Sequence, residues 1–315
     1  MKKFLSTVWS AGYPVLISIG INLLCTFFAV LFFAGMFYRQ TGMVSVEIAA
    51  EVIDSNILLL TGVVSLLIIP LFMLMISKDE KRFGEDSTDV KLKPKTIIIC
   101  IAGACGVAFA LTLLLRLAVN VVSQDAALEE VGEIFDDAAP LVMIAVSLIF
   151  GPLCDELLFR GLVFKRIDRA YGFFPAAVIS SLVYALHQGN NTQAVYCFLL
   201  GMMLCQAYEK TEKVWIPVVM HMSASTFVLV MNYAVDSLIS AGGKIQLAAA
   251  IGGIIAGAAL AVAAVLILSA YKGSAQSAAS VKDEDPVQGA ASVKDEDPAQ
   301  GAVPEKDQDS SQNNA

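Results

Sequence analysis

The sequence predicts an all-α protein, a polytopic membrane bundle of about eight transmembrane helices. Two observations support this prediction most directly: 57% of the 315 residues are hydrophobic, and the mean hydropathy is +0.70. Only 16% of the residues are charged, against about 25% in soluble globular domains. The composition therefore excludes a soluble domain, and the charge pattern gives no indication of nucleic-acid binding.

The spans follow from the lengths of the apolar stretches, because a helix needs about 20 apolar residues to cross roughly 30 Å of hydrocarbon. The first stretch is too long for the apolar region of a signal peptide and is interpreted as a retained anchor. The fifth and sixth stretches are short and separated only by "GNNTQ", which favours a tight helical hairpin. The eight predicted spans are 11–37, 57–77, 96–119, 140–164, 173–189, 193–208, 214–235 and 245–271.

The orientation of the spans follows from the lysine and arginine content of the connections. Basic residues precede the first span, occupy the 78–95 connection and follow the sixth and eighth spans, while the 120–139 connection is acidic and has no Lys or Arg. Lys165, Arg166 and Arg169 are expected in a connection after the fourth span. We therefore predict a multi-pass cell-membrane protein with both termini in the cytoplasm.

The chain changes character after Lys272. "SVKDEDPVQGAA" at 280–291 is repeated almost unchanged as "SVKDEDPAQGAV" at 292–303. Such a segment lacks apolar residues for a core and is predicted to be disordered. The predicted organisation is a region of three spans in 1–139, a core carrying the polar residues in 140–235, a last span in 236–271 and an acidic repeat tail in 272–315.

Ionisable side chains interrupt the fourth predicted span at "FGPLCDELLFRGLVF", residues 150–164. Burying a carboxylate in hydrocarbon costs several kcal/mol, so Asp155 and Glu156 are candidates for function. The chain has only two histidines, His187 and His221, and both lie in apolar segments. At about 1.5 Å per helical residue, Asp155, His187 and His221 fall at compatible depths. We expect these groups from three spans to form one site.

Helical spacing suggests two pairs of polar residues. Glu156 and Arg160 are four residues apart and can pair on one helix face, and His221 and Ser225 share the same spacing. A structural interpretation stays open beside the functional one, because polar groups in membranes also serve helix–helix contact. Interface or packing roles are predicted for Arg116, Ser180, Ser181 and Tyr184.

Three short motifs resemble those of a known family. "DELLFR" at 155–160 is similar to a Glu-Glu-x-x-x-Arg motif, "VYALHQGN" at 183–190 lies where a Phe-x-x-x-His motif belongs, and "HMSAS" at 221–225 matches His-x-x-x-Asn in part. All three motifs are features of the CAAX protease and bacteriocin-processing (CPBP) family of intramembrane proteases, also described as abortive-infection proteins. The resemblance covers about residues 140–235.

The motifs depart from the family pattern at three positions. Asp155 replaces the first Glu, Gln188 rather than His187 stands at the histidine position, and Ser225 replaces the final Asn. A neighbouring helix residue is rotated by about 100°, so His187 would serve in place of Gln188 only if the helix end unwinds near Gly189.

The resemblance implies hydrolysis of a peptide bond inside the membrane by a water molecule that a carboxylate activates. The substrate would be a hydrophobic or lipidated peptide. One view of the family has a divalent metal such as Zn²⁺ in the site, and three ligands with an open position would suit zinc; here Glu156, His187 and His221 could supply them. The catalytic residues implied in this chain are Asp155, Glu156, Arg160, His187, His221 and Ser225.

Two other functions stay open at this point. The first is a catalytically impaired relative that binds a membrane peptide or confers bacteriocin immunity, which the altered motif positions would explain. The second is a transporter that uses the carboxylates and histidines as a proton relay. Transporters commonly contain inverted repeats, and no such symmetry relates 1–138 to 139–271.

Overall fold

The computed structural model describes residues 2–84, 92–122, 139–188, 191–239 and 244–270. Every regular element in these ranges is a helix, which confirms the predicted all-α class. The predicted acidic tail lies outside the described residues. The helices are α1 (Lys2–Thr41), α2 (Val46–Asp54), α3 (Ile57–Phe83), α4 (Pro94–Val122), α5 (Pro140–Tyr171), α6 (Phe173–His187), α7 (Asn191–Thr211), α8 (Trp215–Ile239) and α9 (Lys244–Ala270).

Each of the eight predicted spans coincides with a helix. Five helices are long and apolar enough to cross a membrane, namely α1, α3, α4, α5 and α9, as judged by length and composition. α6 and the apolar part of α8, Trp215–Met231, are shorter. The chain is thus a polytopic helical membrane protein, and the total of eight crossings stays a prediction. The sequence analysis did not predict α2, a nine-residue helix whose N-cap is Ser45.

The fourth predicted span continues further than expected. Lys165, Arg166 and Arg169 belong to the last helical turns of α5, which ends at Tyr171 and not at residue 164. The predicted connection at these residues is therefore wrong. Gly172 ends the helix with φ of +83°, a left-handed backbone conformation that glycine adopts without a Cβ clash.

Basic residues at this end of α5 fasten it to two other helices. The Nε atom of Arg166 lies 2.6 Å from Oδ2 of Asp79 on α3, and its Nη1 donates to the backbone oxygen of Ser10 on α1 at 2.5 Å. Arg169 approaches the same Asp79 carboxylate at 3.9 Å. These contacts fix the relative positions of α1, α3 and α5 at one end of the bundle.

The buried core has two parts. The first is formed mainly by α3, α5 and α6 with part of α7, and includes Phe72, Phe159 and Leu162. The second is formed by α4, α7, α8 and α9. Within it α4 and α9 approach so closely that a Cβ added at Gly106 would lie 2.8 Å from the carbonyl oxygen of Gly257. Small residues allow this backbone contact, as is common between membrane helices. α7 joins the two parts.

Candidate active site

The backbone of α5 changes its helical geometry on both sides of the acidic pair. Residues Ile144–Phe150 and Leu157–Phe164 are wound as π-helix, and the intervening turn, Gly151–Glu156, is α-helix. π-turns are rare, and they are frequent at functional sites. The change in winding sets the directions of Asp155 and Glu156 at the end of the short α-helical turn.

The second π segment is anchored to the neighbouring helix through a side chain. The Ser180 hydroxyl of α6 donates to the carbonyl oxygen of Phe159 at 2.7 Å, and Ser180 is fully buried. Ser180 thus makes a contact between α6 and α5, which is consistent with the packing role predicted for it. The bond holds α6 against α5 one turn beyond Glu156.

Glu156 and Arg160 form the ion pair that their spacing predicts. Arg160 Nη1 lies 2.9 Å from Glu156 Oε1, and both side chains are fully buried. Three atoms of the pair are buried without a hydrogen-bond partner in the described part of the chain: Glu156 Oε2, Arg160 Nε and Arg160 Nη2. A charge left alone in such surroundings costs several kcal/mol, so each member of this pair depends on the other.

The guanidinium of Arg160 lies in a close-fitting pocket between α6 and α7. Its Cζ atom is 4.7 Å from the centre of the Tyr184 ring, a cation–π arrangement. On α7 a Cβ added at Gly201 would come within 2.9 Å of Arg160 Nη2 and of Ser181 Oγ. The absence of a side chain at Gly201 therefore makes room for Arg160.

His221 joins the ion pair from α8. Its Nδ1 atom lies 2.9 Å from Glu156 Oε1, and its Nε2 atom lies 3.2 Å from the Tyr184 hydroxyl. The side chain is 7% exposed. Glu156 Oε1 thus accepts from two helices at once, and both imidazole nitrogens have partners. The structure brings together Glu156, Arg160 and His221, as the sequence analysis expected.

Asp155 is in a different environment from its neighbour. It is half-buried, and within the described ranges no side chain hydrogen-bonds to its carboxylate. It interacts electrostatically with His221 and His187 as well as with Glu156 and Arg160. Asp155 is therefore the less buried carboxylate of the pair and lies near both histidines.

His187 ends α6 and is exposed, with its ring centre 5.6 Å from that of Phe159. Gln188 is half-buried and still has right-handed helical dihedral angles, φ −72° and ψ −16°. The expected unwinding near Gly189 lies outside the described residues. His187 consequently lies near Asp155 without joining the Glu156–His221 contact.

Ser225 lies one helical turn beyond His221 on α8 and is half-buried. It makes no hydrogen bond to the Glu156 network in the part of the chain that the structure describes. The expectation that the His221 and Ser225 side chains act together stays a prediction.

The suggested metal ligands do not converge in this arrangement. Among the described residues, no group of three His, Cys, Asp or Glu side chains is placed to hold a metal ion. Both nitrogens of His221 are engaged by Glu156 and Tyr184, and zinc requires a free imidazole nitrogen and three protein ligands. Glu156, His187 and His221 as placed do not fit a three-ligand site, so the chemistry considered below uses only side chains and water.

The sequence analysis did not predict the contacts of Tyr184 with His221 and Arg160. Tyr184 was assigned to packing, yet its hydroxyl reaches His221 and its ring covers Arg160. The two histidines and Arg160 attract attention as polar groups in apolar segments, whereas a tyrosine in such a segment is unremarkable. Only the relative rotation of α6 and α8 shows this role.

Fold and site together define a class: a polytopic helical membrane protein with a buried Glu–Arg–His centre beside a less buried carboxylate. Residues 137–227 match the model of the family described as Type II CAAX prenyl endopeptidase Rce1-like. Residues 137–227 of this chain are thus similar to the CPBP family of membrane proteases, in agreement with the resemblance seen in the sequence motifs.

Two curated proteins are similar to part of this chain. One is "Putative membrane peptidase YdiL" of Bacillus subtilis (strain 168), 32% identical over 95 residues, which are 30% of this chain and 38% of the relative. The other is "Membrane-embedded CAAX protease MroQ" of Staphylococcus aureus (strain USA300), 29% identical over 99 residues, 30% of this chain and 40% of the relative. The chain thus matches less than half the length of each relative. No solved structure matches it at a significant level.

Proposed function

We propose that this protein is an intramembrane endopeptidase that cleaves a hydrophobic or lipidated peptide with a carboxylate-activated water. The observation that carries the proposal is the division between the two adjacent carboxylates. Glu156 is fully buried and held by Arg160 and His221, while Asp155 is half-buried, takes no part in that pairing and is close to both histidines. The match of residues 137–227 to the Rce1-like family supports peptide hydrolysis as the reaction class.

Asp155 acts as the general base in this proposal. Its carboxylate accepts a proton from a water molecule as the water oxygen bonds to the scissile carbonyl carbon. The proton then passes from Asp155 to the leaving amine nitrogen as the C–N bond breaks. A general base must lie within about 2.6–3.2 Å of the proton-bearing atom, a distance that a carboxylate outside the Glu156–Arg160 pair can offer to water.

Glu156, Arg160 and His221 position the site. Glu156 Oε1 receives hydrogen bonds from Arg160 on its own helix and from His221 on α8, which fixes α8 relative to the acidic turn. Stabilising the oxyanion requires donors about 2.7–3.1 Å from the developing charge. His187 and Ser225, at the edge of the same site, are assigned this role in the proposal.

The orientation of the chain is part of the proposal. The end of α5 that carries Lys165, Arg166 and Arg169 faces the cytoplasm, because positively charged segments are retained there. Both termini then lie on the cytoplasmic side. We also propose that the chain is divided into a three-span region before residue 140 and a protease core in 140–235. A role in bacteriocin processing or immunity is a further part of the proposal.

The proposal is tested by comparing new peptide termini in membranes from cells that express the wild type or Asp155→Asn. Asp54→Asn on the exposed face of α2 makes the same chemical change away from the site and serves as the control. Termini that appear with the wild type and the control, and vanish with Asp155→Asn at matched abundance, are the expected result. An identical set of termini for all three proteins would favour a peptide-binding relative without protease activity.

A further inference from the structure

The Tyr184 hydroxyl lies within hydrogen-bonding distance of the His221 imidazole. The two side chains lie on different helices, α6 and α8, and are 1% and 7% exposed. The hydroxyl oxygen is 3.2 Å from Nε2, and the ring centres are 5.9 Å apart in an edge-on arrangement. A buried tyrosine hydroxyl normally has a hydrogen-bond partner, and here that partner is the imidazole.

The surrounding charges decide the direction of the hydrogen bonds. An ionised carboxylate only accepts hydrogen bonds, and Glu156 Oε1 already accepts from the guanidinium of Arg160, its salt-bridge partner. The Nδ1 atom of His221 must therefore carry the proton that bonds to Glu156 Oε1. In the neutral imidazole Nε2 then carries no proton and can accept a hydrogen bond from the Tyr184 hydroxyl.

We infer that the Tyr184 hydroxyl donates to Nε2 and, together with Glu156 at Nδ1, holds His221 as the neutral Nδ1–H tautomer, which makes Tyr184 a positioning residue of the site. Which imidazole nitrogen carries the proton is set by the hydrogen bond that the other nitrogen makes. Without the hydroxyl, Nε2 has lost its donor and the ring is held on one side only. The role of Tyr184 in cleavage rests on the proposed function, whereas its effect on the tautomer does not.

The groups that face this contact come from three helices. Asp155, Glu156 and Arg160 approach from α5, and His187 lies at the end of α6. On α7 the thiol of Cys197 lies beside Tyr184. A pH profile of this site reports on all of these groups together, so the tautomer is measured directly rather than inferred from pH dependence.

The chain has only two histidines, which makes a direct measurement practical. Protein labelled with ¹⁵N-histidine in lipid bilayers gives two imidazole signal sets, and His187→Gln identifies that of His221. In the wild type at neutral pH we expect His221 to be a single neutral Nδ1–H tautomer. In Tyr184→Phe, which removes one oxygen atom, the Nε2 signal should shift because its hydrogen-bond donor is lost, while Nδ1 keeps the proton that bonds to Glu156.

Tyr196→Phe is the matched control, since Tyr196 lies half-buried on α7 and its hydroxyl has no contact with His221. It should leave the His221 signals unchanged. An Nε2–H tautomer in the wild type overturns the inference without recourse to any variant. Identical His221 signals in the wild type and Tyr184→Phe overturn it as well.

Cleavage of the peptide identified by terminus profiling gives the second readout. Tyr184→Phe should lower turnover roughly tenfold with little change in KM and with an altered pH profile, as expected for loss of one buried hydrogen bond to a positioned imidazole. Wild-type turnover in Tyr184→Phe, with Asp155→Asn inactive, would overturn the positioning role and leave the proposed function intact. A shifted His221 signal in a protein that cleaves nothing would support the tautomer inference and refute the protease.

Discussion

Replacing Glu156 by Gln tests how the buried charges depend on each other. The substitution keeps the size of the side chain and an oxygen that can accept from Arg160 and His221. It removes the negative charge 2.9 Å from the Arg160 guanidinium, in a pair with no exposed surface. At an effective dielectric constant of about 20, Coulomb's law gives about 6 kcal/mol for two unit charges at this separation.

Measured costs of breaking a buried pair from one side are of similar size, about 3–5 kcal/mol. We therefore expect Glu156→Gln to lower the free energy of unfolding by this amount. With the scaling of soluble domains, about 2–4 °C per kcal/mol, the melting temperature in detergent micelles should fall by roughly 6–20 °C. The assay is thermal unfolding of the purified protein, with Asp54→Asn as the control for loss of an exposed carboxylate.

The double variant Glu156→Gln, Arg160→Met tests whether the unpaired charge of Arg160 causes the loss of stability in Glu156→Gln. Removing both members of a buried ion pair is often neutral or stabilising, so this protein should recover most of the lost stability. The coupling between the two sites would then exceed about 2 kcal/mol in the double-mutant cycle. A double variant that is less stable than Glu156→Gln alone would refute the reasoning and indicate that hydrogen bonds, rather than charge pairing, dominate here.

Two further predictions concern the side chains around the pair. Gly201→Ala should destabilise the protein by about 1–3 kcal/mol, because its Cβ would press on Arg160 Nη2 and Ser181 Oγ. Gly252 has open space around it, so Gly252→Ala should be neutral or stabilising in the same melting assay. Ser180→Ala should cost about 1–3 kcal/mol, because it leaves the buried Phe159 carbonyl without its donor. Ser223→Ala, whose hydroxyl bonds only within its own helix, should change the melting temperature much less.

Contacts within one helix were predictable from the sequence. Glu156 and Arg160 are four residues apart, and a helix brings such residues together whatever its surroundings. The eight apolar stretches predicted helices at the right places for the same reason, since length and composition are local properties. The end of α5 was missed because Lys165 and Arg166 read as a charged connection. In the structure Arg166 pairs with Asp79 and bonds to Ser10, two distant residues that allow the helix to continue.

Contacts between helices were only partly predictable. Depth counting placed His221 level with the acidic pair, but it gave no information on rotation about the helix axis. That rotation determines that His221 meets Glu156 rather than Asp155, and that Tyr184 rather than His187 contacts the imidazole. The π-helical windings of α5 also alter which way residues 155 and 156 point, and no residue pattern in the sequence indicates them.

The different surroundings of the two adjacent carboxylates explain why a hydrophobic span contains both. The oxygen of Glu156 that accepts from Arg160 and His221 connects α5 to α8, and its burial makes these interactions stronger than they would be in water. The same engagement leaves Glu156 poorly suited to take a proton from water, because protonation would break the pairing that holds the site together. Asp155 is half-buried and, among the described residues, makes no side-chain hydrogen bond of this kind. The chain thus separates the carboxylate that maintains the geometry from the carboxylate proposed to do the chemistry, and substitution of the first should reduce stability while substitution of the second should reduce cleavage alone.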